Sequence, residues 1–226
     1  MEVDGLDSGT HVYSKPKVII VAATKGGTVK RTLAINLAVA AQSRGMKTVI
    51  IDTDIEGDSG QGSCLKWKSR REKPMPFVKG GNLNNLAVLI SKAWVARYKV
   101  VIVDTAGRST PDFKSAGGFA DFILIPSQAT ILDAEAVEAI LRQARASDVR
   151  TGIVLTQVLQ ENHRRTQRYR QKYSAMATVF QTTIRRRVDY ADAIARGLGV
   201  TEYHDDGDCD VEVQTLLNEI LDSINQ

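Results

Sequence analysis

The feature that most limits what this chain can fold into is a short apolar run cut off by paired glycines. Val18-Ile-Ile-Val-Ala22 is too short for a helix and is rich in β-branched residues, which is the pattern of a buried strand. Gly26 and Gly27 interrupt it, and apolar residues then recur at Leu33, Leu37 and Ala40-Ala41, a helical spacing. Strand, glycine-rich turn and helix in that order predict the opening of a βαβ unit.

The same alternation continues down the chain. Thr48–Asp52, Val100–Asp104, Phe122–Pro126 and Gly152–Thr156 read as further strands. Leu33–Ser43, Leu83–Val95, Asp133–Ala146, Arg164–Ala175, Val188–Arg196 and Val211–Ile224 read as helices, with Asp133 as an N-cap. Strands this apolar are covered on both faces. The expected fold class is therefore α/β, a mainly parallel sheet joined by right-handed crossovers and flanked by helices. Ligands of such sheets sit beyond the carboxyl ends of the strands. Here those are the loops after Ala22, Asp52, Asp104, Pro126 and Thr156. We read residues 17–226 as one domain and residues 1–16, polar and acidic, as a flexible tail. Trp67 and Trp94 read as packing residues.

Composition excludes several alternatives. The two cysteines, Cys64 and Cys209, form no CxxC pair, which argues against a disulfide framework, a zinc site or an iron–sulfur cluster. No apolar run reaches membrane-spanning length. The net charge is +4, but it is unevenly spread. Between Arg142 and Arg187 eleven basic residues face two acidic ones, so the remainder of the chain is acidic. A basic block on an acidic chain suits a polyanion, and its alternative is a solvated helix face.

The first loop, Thr24-Lys-Gly-Gly-Thr-Val-Lys-Arg-Thr32, has the composition of a phosphate cradle. Its glycines free backbone N–H groups to face an anion, and Lys30 adds charge at the helix entrance. It resembles the deviant Walker A motif KGGxGK[ST][ST] of the ParA-type partition ATPases. Lys25, Gly26, Gly27, Lys30 and Thr32 match. Val29 stands where the family has glycine, and Arg31 stands where it has the Ser or Thr that coordinates Mg²⁺. Three further loops extend the resemblance, which runs from about Lys17 to the end of the chain. Ile51-Asp-Thr-Asp-Ile-Glu-Gly57 is similar to switch I, with Ile55 and Glu56 in place of Pro and Gln. Val101-Ile-Val-Asp104 is similar to a Walker B strand. Leu124–Ala134 is similar to the IPxxPxxLD segment, with Ala129 and Ile131 where many members carry proline.

The resemblance implies a P-loop ATPase of the short form, lacking an N-terminal DNA-reading domain. It implies ATP and Mg²⁺ as cofactors. The nucleotide would be held by Lys25, Gly26, Gly27, Thr28, Val29, Lys30, Arg31 and Thr32, with Thr156 and Gln157 in the adenine-contacting loop. Lys25 would act across an ATP-sandwiched homodimer, Asp54 would orient the attacking water, and Asp104 would hold Mg²⁺ through water. It implies non-specific DNA and a small centromere-binding or adaptor protein as partners, in the cytoplasm on the nucleoid. Arg164, Arg165, Arg185, Arg186 and Arg187 are the leading DNA contacts. The expected function is ATP-dependent segregation or positioning of a plasmid or other cargo. The alternative is a non-hydrolysing scaffold, DNA-binding or regulatory protein disabled by Val29 and Arg31. A membrane-associated relative would end in a basic amphipathic helix. Val211–Gln226 contains no Lys or Arg, so no membrane partner is expected.

Overall fold

Strand β1 (Lys17–Val21) forms the middle of a seven-stranded sheet. In this computed structural model the described residues are 14–23, 29–54, 63–106, 118–160 and 163–226. The remaining strands are β2 (Thr48–Asp52), β3 (Phe77–Gly80), β4 (Val100–Asp104), β5 (Phe122–Ser127), β6 (Thr151–Val158) and β7 (Thr178–Arg185). Their order is β3-β2-β4-β1-β5-β6-β7, and every pairing is parallel. Neighbours β1 and β5 send their connections in opposite directions, towards β2 and β6. That reversal opens a crevice at their carboxyl ends.

Period-two alternation divides each central strand between two cores. Ile19 and Val21 face one core, built with helix α1 (Lys30–Ser43), α2 (Ser63–Arg70), α6 (Asp189–Ala195), α7 (Val200–Tyr203) and α8 (Asp208–Asn225). Val18, Ile20 and Ala22 face the other, built with α3 (Leu86–Val95), α4 (Ile131–Arg145) and α5 (Arg164–Ser174). Burial on both faces is why these strands read as continuous apolar runs. No helix among the described residues is long and apolar enough to cross a membrane.

Two polar clusters fix the helices against one another. Arg44, after α1, donates to Gln214 Oε1 and Asn218 Oδ1 of α8, each at 2.6 Å. Arg71, after α2, is buried and stacks on Trp67, 4.9 Å from the ring centre. It pairs with Glu202 at 2.6 and 2.7 Å and donates to the carbonyls of Met75 and Gly197. Gly152 lies between the stacked rings of Phe122 and Phe180, where a Cβ would approach both to 2.7 Å.

Several sequence expectations need correction. The fourth helix starts at Ile131, not Asp133, because Thr130 is its N-cap and accepts from the Asp133 N–H. Strand β7 occupies a stretch whose sequence does not read as a strand, and α2, β3 and α7 are likewise additions. Leu83–Asn85 is a 3₁₀ turn preceding α3. Trp67 is buried as expected, but Trp94 is 45% exposed and not a core residue. Lys15, assigned to the tail, donates to the Phe119 carbonyl and lies 3.7 Å from Asp121.

Candidate functional site

The site lies at the carboxyl edge of the sheet, where β1, β2 and β4 end. Residues 24–28, which include Lys25, Gly26, Gly27 and Thr28, fall outside the described residues. Val29 is the N-cap of α1. Its φ of 64° is left-handed, a conformation that suits glycine and strains a β-branched side chain. The backbone thus keeps the glycine geometry of the motif although the side chain is valine. Among the described residues no side chain caps α1, and no acid lies in its first turn. Its leading N–H groups and the positive end of its dipole therefore face the site as an anion-binding end.

Lys30 opens α1 and is buried. Its Nζ lies 3.5 Å from Asp104 Oδ1 and donates to the Thr105 carbonyl. Asp104 is wholly buried at the end of β4. Burial pushes its carboxyl above the ordinary range; Lys30 pulls it back, Asp52 opposes that, and Arg31 assists it. Cys64 of α2 places its thiol 3.4 Å from Asp104 Oδ2. Burial and then the charges of Asp104 and Asp52 hold that thiol well above its usual value, which favours the S–H form that faces Asp104.

Asp52 and Asp54 divide the work of the second loop. Asp52 is buried and accepts the N–H groups of Asp54 (3.2 Å), Cys64 (3.0 Å) and Leu65 (3.3 Å). It is the anchor of α2. Asp54 is half-buried, and its Oδ2 lies 3.3 Å from Arg31 Nη2. Thr53 donates through its hydroxyl to the Asp104 carbonyl at 2.9 Å, and Thr105 does the same to Val21. These threonines stitch the ends of β2, β4 and β1 together.

The chemistry of this donor set does not reproduce a Mg²⁺ site of the P-loop kind. Position 31 offers no hydroxyl. Instead the Arg31 guanidinium projects between the acids, with Nη2 on Asp54 and Nε 3.9 Å from Asp104 Oδ2. A cation already occupies the approach to both carboxylates.

The other expected residues lie further along the same edge. Thr156 is buried in β6, its hydroxyl without a partner among the described residues. Gln157 follows with a φ of 55° at an irregularity in the β6–β7 pairing. Arg164 and Arg165 are exposed at the start of α5, whose N-cap is His163. Arg186 is exposed, and its N–H donates to the Val158 carbonyl, placing the ends of β6 and β7 together. Arg187, by contrast, is engaged within the fold, 2.7 Å from Asp208 and 3.4 Å from Glu212. The Arg185 N–H donates to Glu212. Much of the remaining basic block also serves the fold. Arg145 and Arg150 donate to the carbonyls of Met176 and of Ser223 and Ile224, Arg170 to those of Phe180 and Gln181, and Lys172 pairs with Glu138.

Sequence reasoning missed Cys64, Thr53 and Thr105 as members of this site. Nothing in the local sequence of Cys64 ties it to Asp104.

The profile of the CobQ/CobB/MinD/ParA nucleotide-binding domain matches residues 19–200, most of the chain. The chain belongs to this family. The Maintenance of carboxysome distribution protein A of Gloeobacter kilaueensis is 30% identical over 151 residues, covering 64% of this chain and 65% of that protein, a little under two thirds of its length. A structure from Borrelia burgdorferi B31, described as a plasmid partition protein bound to AMPPNP, superposes with a TM-score of 0.70 at 18% identity, covering 92% of this chain and 98% of that one. The septum site-determining protein MinD of Pyrococcus horikoshii, complexed with Mg-ADP, gives 0.67 at 15% identity, covering 91% and 96%. At these identities the two structures speak for the fold, a parallel sheet flanked by helices of the P-loop ParA/MinD type.

Proposed function

We propose that this protein is an ATP-binding positioning protein that dimerises around nucleotide, binds DNA non-specifically and distributes a plasmid or other cargo with a small adaptor as partner. The observation that carries this reading is the start of α1, open to an anion, beside the buried Lys30–Asp104 pair. That arrangement offers a phosphate chain both backbone donors and a lysine ammonium. Lys25, Gly26, Gly27 and Thr28 would complete the cradle, and Thr156 and Gln157 would face the base. The names of the relatives, carboxysome distribution and plasmid partition, favour cargo positioning.

DNA would be held by Arg164, Arg165 and Arg186, which share an edge with the phosphate site. Contacts to phosphates alone suffice for non-specific binding. Arg185 and Arg187 contribute to the field of that edge while serving the fold. A cytoplasmic, nucleoid-associated location follows from this reading.

A second reading, a non-hydrolysing scaffold or regulator of the same family, is favoured by the Arg31–Asp54 pair. Asp54 held by a guanidinium is not available to orient a water molecule. The test is ATP turnover with and without duplex DNA, alongside DNA binding with and without ATP. ATP-dependent DNA binding with turnover supports the first reading. ATP-dependent DNA binding without turnover supports the second. Absence of ATP binding overturns both.

A further inference from the structure

We infer that Arg31 takes the place of the divalent metal, so that this chain binds the triphosphate of ATP without Mg²⁺. The inference rests on the nucleotide-site reading above and deepens it.

Three observations carry it. The first is position. Arg31 follows Lys30 in the first turn of α1, and its guanidinium lies between Asp54 (Nη2 to Oδ2, 3.3 Å) and Asp104 (Nε to Oδ2, 3.9 Å). These are the carboxylates that a bound cation would have to approach. The second is an unmet donor. The Arg31 Nε is buried yet has no hydrogen-bond partner among the described residues, and 3.9 Å to Asp104 is too long for one. A buried N–H without an acceptor is uncommon. Here it lies beside the N-terminus of α1, where a phosphate oxygen would satisfy it. The third is that the acids are already engaged. Asp52 caps α2 and accepts from Asp54, and Asp104 receives Lys30 and the Cys64 thiol. Asp54 receives Arg31.

Guanidinium is suited to the substitution. It is permanently charged and can meet phosphate oxygens with two parallel N–H groups. It also repels a divalent ion brought to the same place, since like charges a few ångströms apart are costly in a partly buried site. The Arg31 side chain is 39% exposed, which leaves it room to turn from Asp54 to an incoming phosphate.

The experiment is calorimetric titration of ATP into the full chain and into Arg31→Ser, each in excess EDTA and in excess MgCl₂. For the unaltered protein the two affinities should agree within about threefold, whereas Arg31→Ser should bind about tenfold or more weakly in EDTA, a difference of about 1.4 kcal/mol. An unaltered protein that loses about tenfold or more in EDTA overturns the inference but leaves the nucleotide site standing. Equal affinities in both buffers for Arg31→Ser as well would show that Arg31 is not the metal's replacement. No ATP binding by either protein in either buffer overturns the nucleotide-site reading itself. Should Arg31→Ser fail to fold, Arg31→Gln keeps much of the side-chain length without the charge and serves in its place.

Discussion

Lys30 Nζ and Asp104 Oδ1 lie 3.5 Å apart, and both side chains are almost completely shielded from water. The pair joins the first turn of α1 to the end of β4, so one contact holds Lys30 against the floor of the candidate site. Removing one member of a buried pair leaves the other uncompensated. Lys30→Met should therefore destabilise the protein by about 3 kcal/mol. Urea denaturation checks this, and ATP titration of the same variant should show binding lost.

Val29 holds a left-handed backbone that glycine would adopt without strain. Val29→Gly should raise stability by about 0.5–1 kcal/mol, as relief of backbone strain exceeds the added flexibility of the unfolded chain. Val29→Ala should give little gain, because alanine retains a Cβ. Denaturant midpoints of the two variants decide the matter.

The Arg71–Glu202 pair predicts an acid-sensitive component of stability. Burial pushes the Glu202 carboxyl upward, but hydrogen bonds and charge from Arg71, the Gly199 N–H and Lys73 together hold it below the usual glutamate range. A lowered value in the folded state means that the unfolded chain binds the proton more readily. The stabilisation is complete above the unfolded value, about 4.3, and is lost as pH falls through the lower folded value. Glu202→Gln should flatten this part of a stability-against-pH curve. Arg71→Ala should cost about 3 kcal/mol at neutral pH, since it removes the carboxylate's bidentate partner and leaves only Lys73 and the Gly199 N–H to hold it.

The basic residues should separate into two groups. Arg164→Ala, Arg165→Ala and Arg186→Ala should weaken duplex DNA binding irrespective of sequence, each lowering the salt-dependence slope by about 1. Arg170→Ala and Arg187→Ala should instead lower the melting temperature, because those side chains hold Phe180, Gln181, Asp208 and Glu212. DNA titrations at several salt concentrations, with thermal melts of the same variants, test the division.

The central strands were legible because burial on both faces leaves an uninterrupted apolar signature, as in Val18–Ala22 and Val100–Asp104. The start of α1 and the acids ending β2 and β4 were legible because such positions follow from strand ends. Strand β7 was obscured by its polar composition, since Gln181, Thr182 and Thr183 interrupt the apolar pattern. Strand β3 has only four residues and alternates at the sheet edge, too little for periodicity to register. The start of α4 was misplaced because Thr130 and Asp133 are both credible caps, and which one caps is decided by backbone geometry. The contact of Cys64 with Asp104 joins residues 40 positions apart and depends wholly on tertiary packing. So does the sorting of arginines into structural and exposed sets.

Arg44 fastens α1 to α8, and Val213, Leu216, Leu217 and Ile220 of α8 lie in the core that α1 shares. The C-terminal helix is thus a footing for the helix that carries Lys30 and Arg31. Shortening the chain from its C-terminal side would loosen Lys30 and Arg31 from behind, and a tag or partner bearing on α8 would be felt at the carboxyl edge of the sheet without touching it.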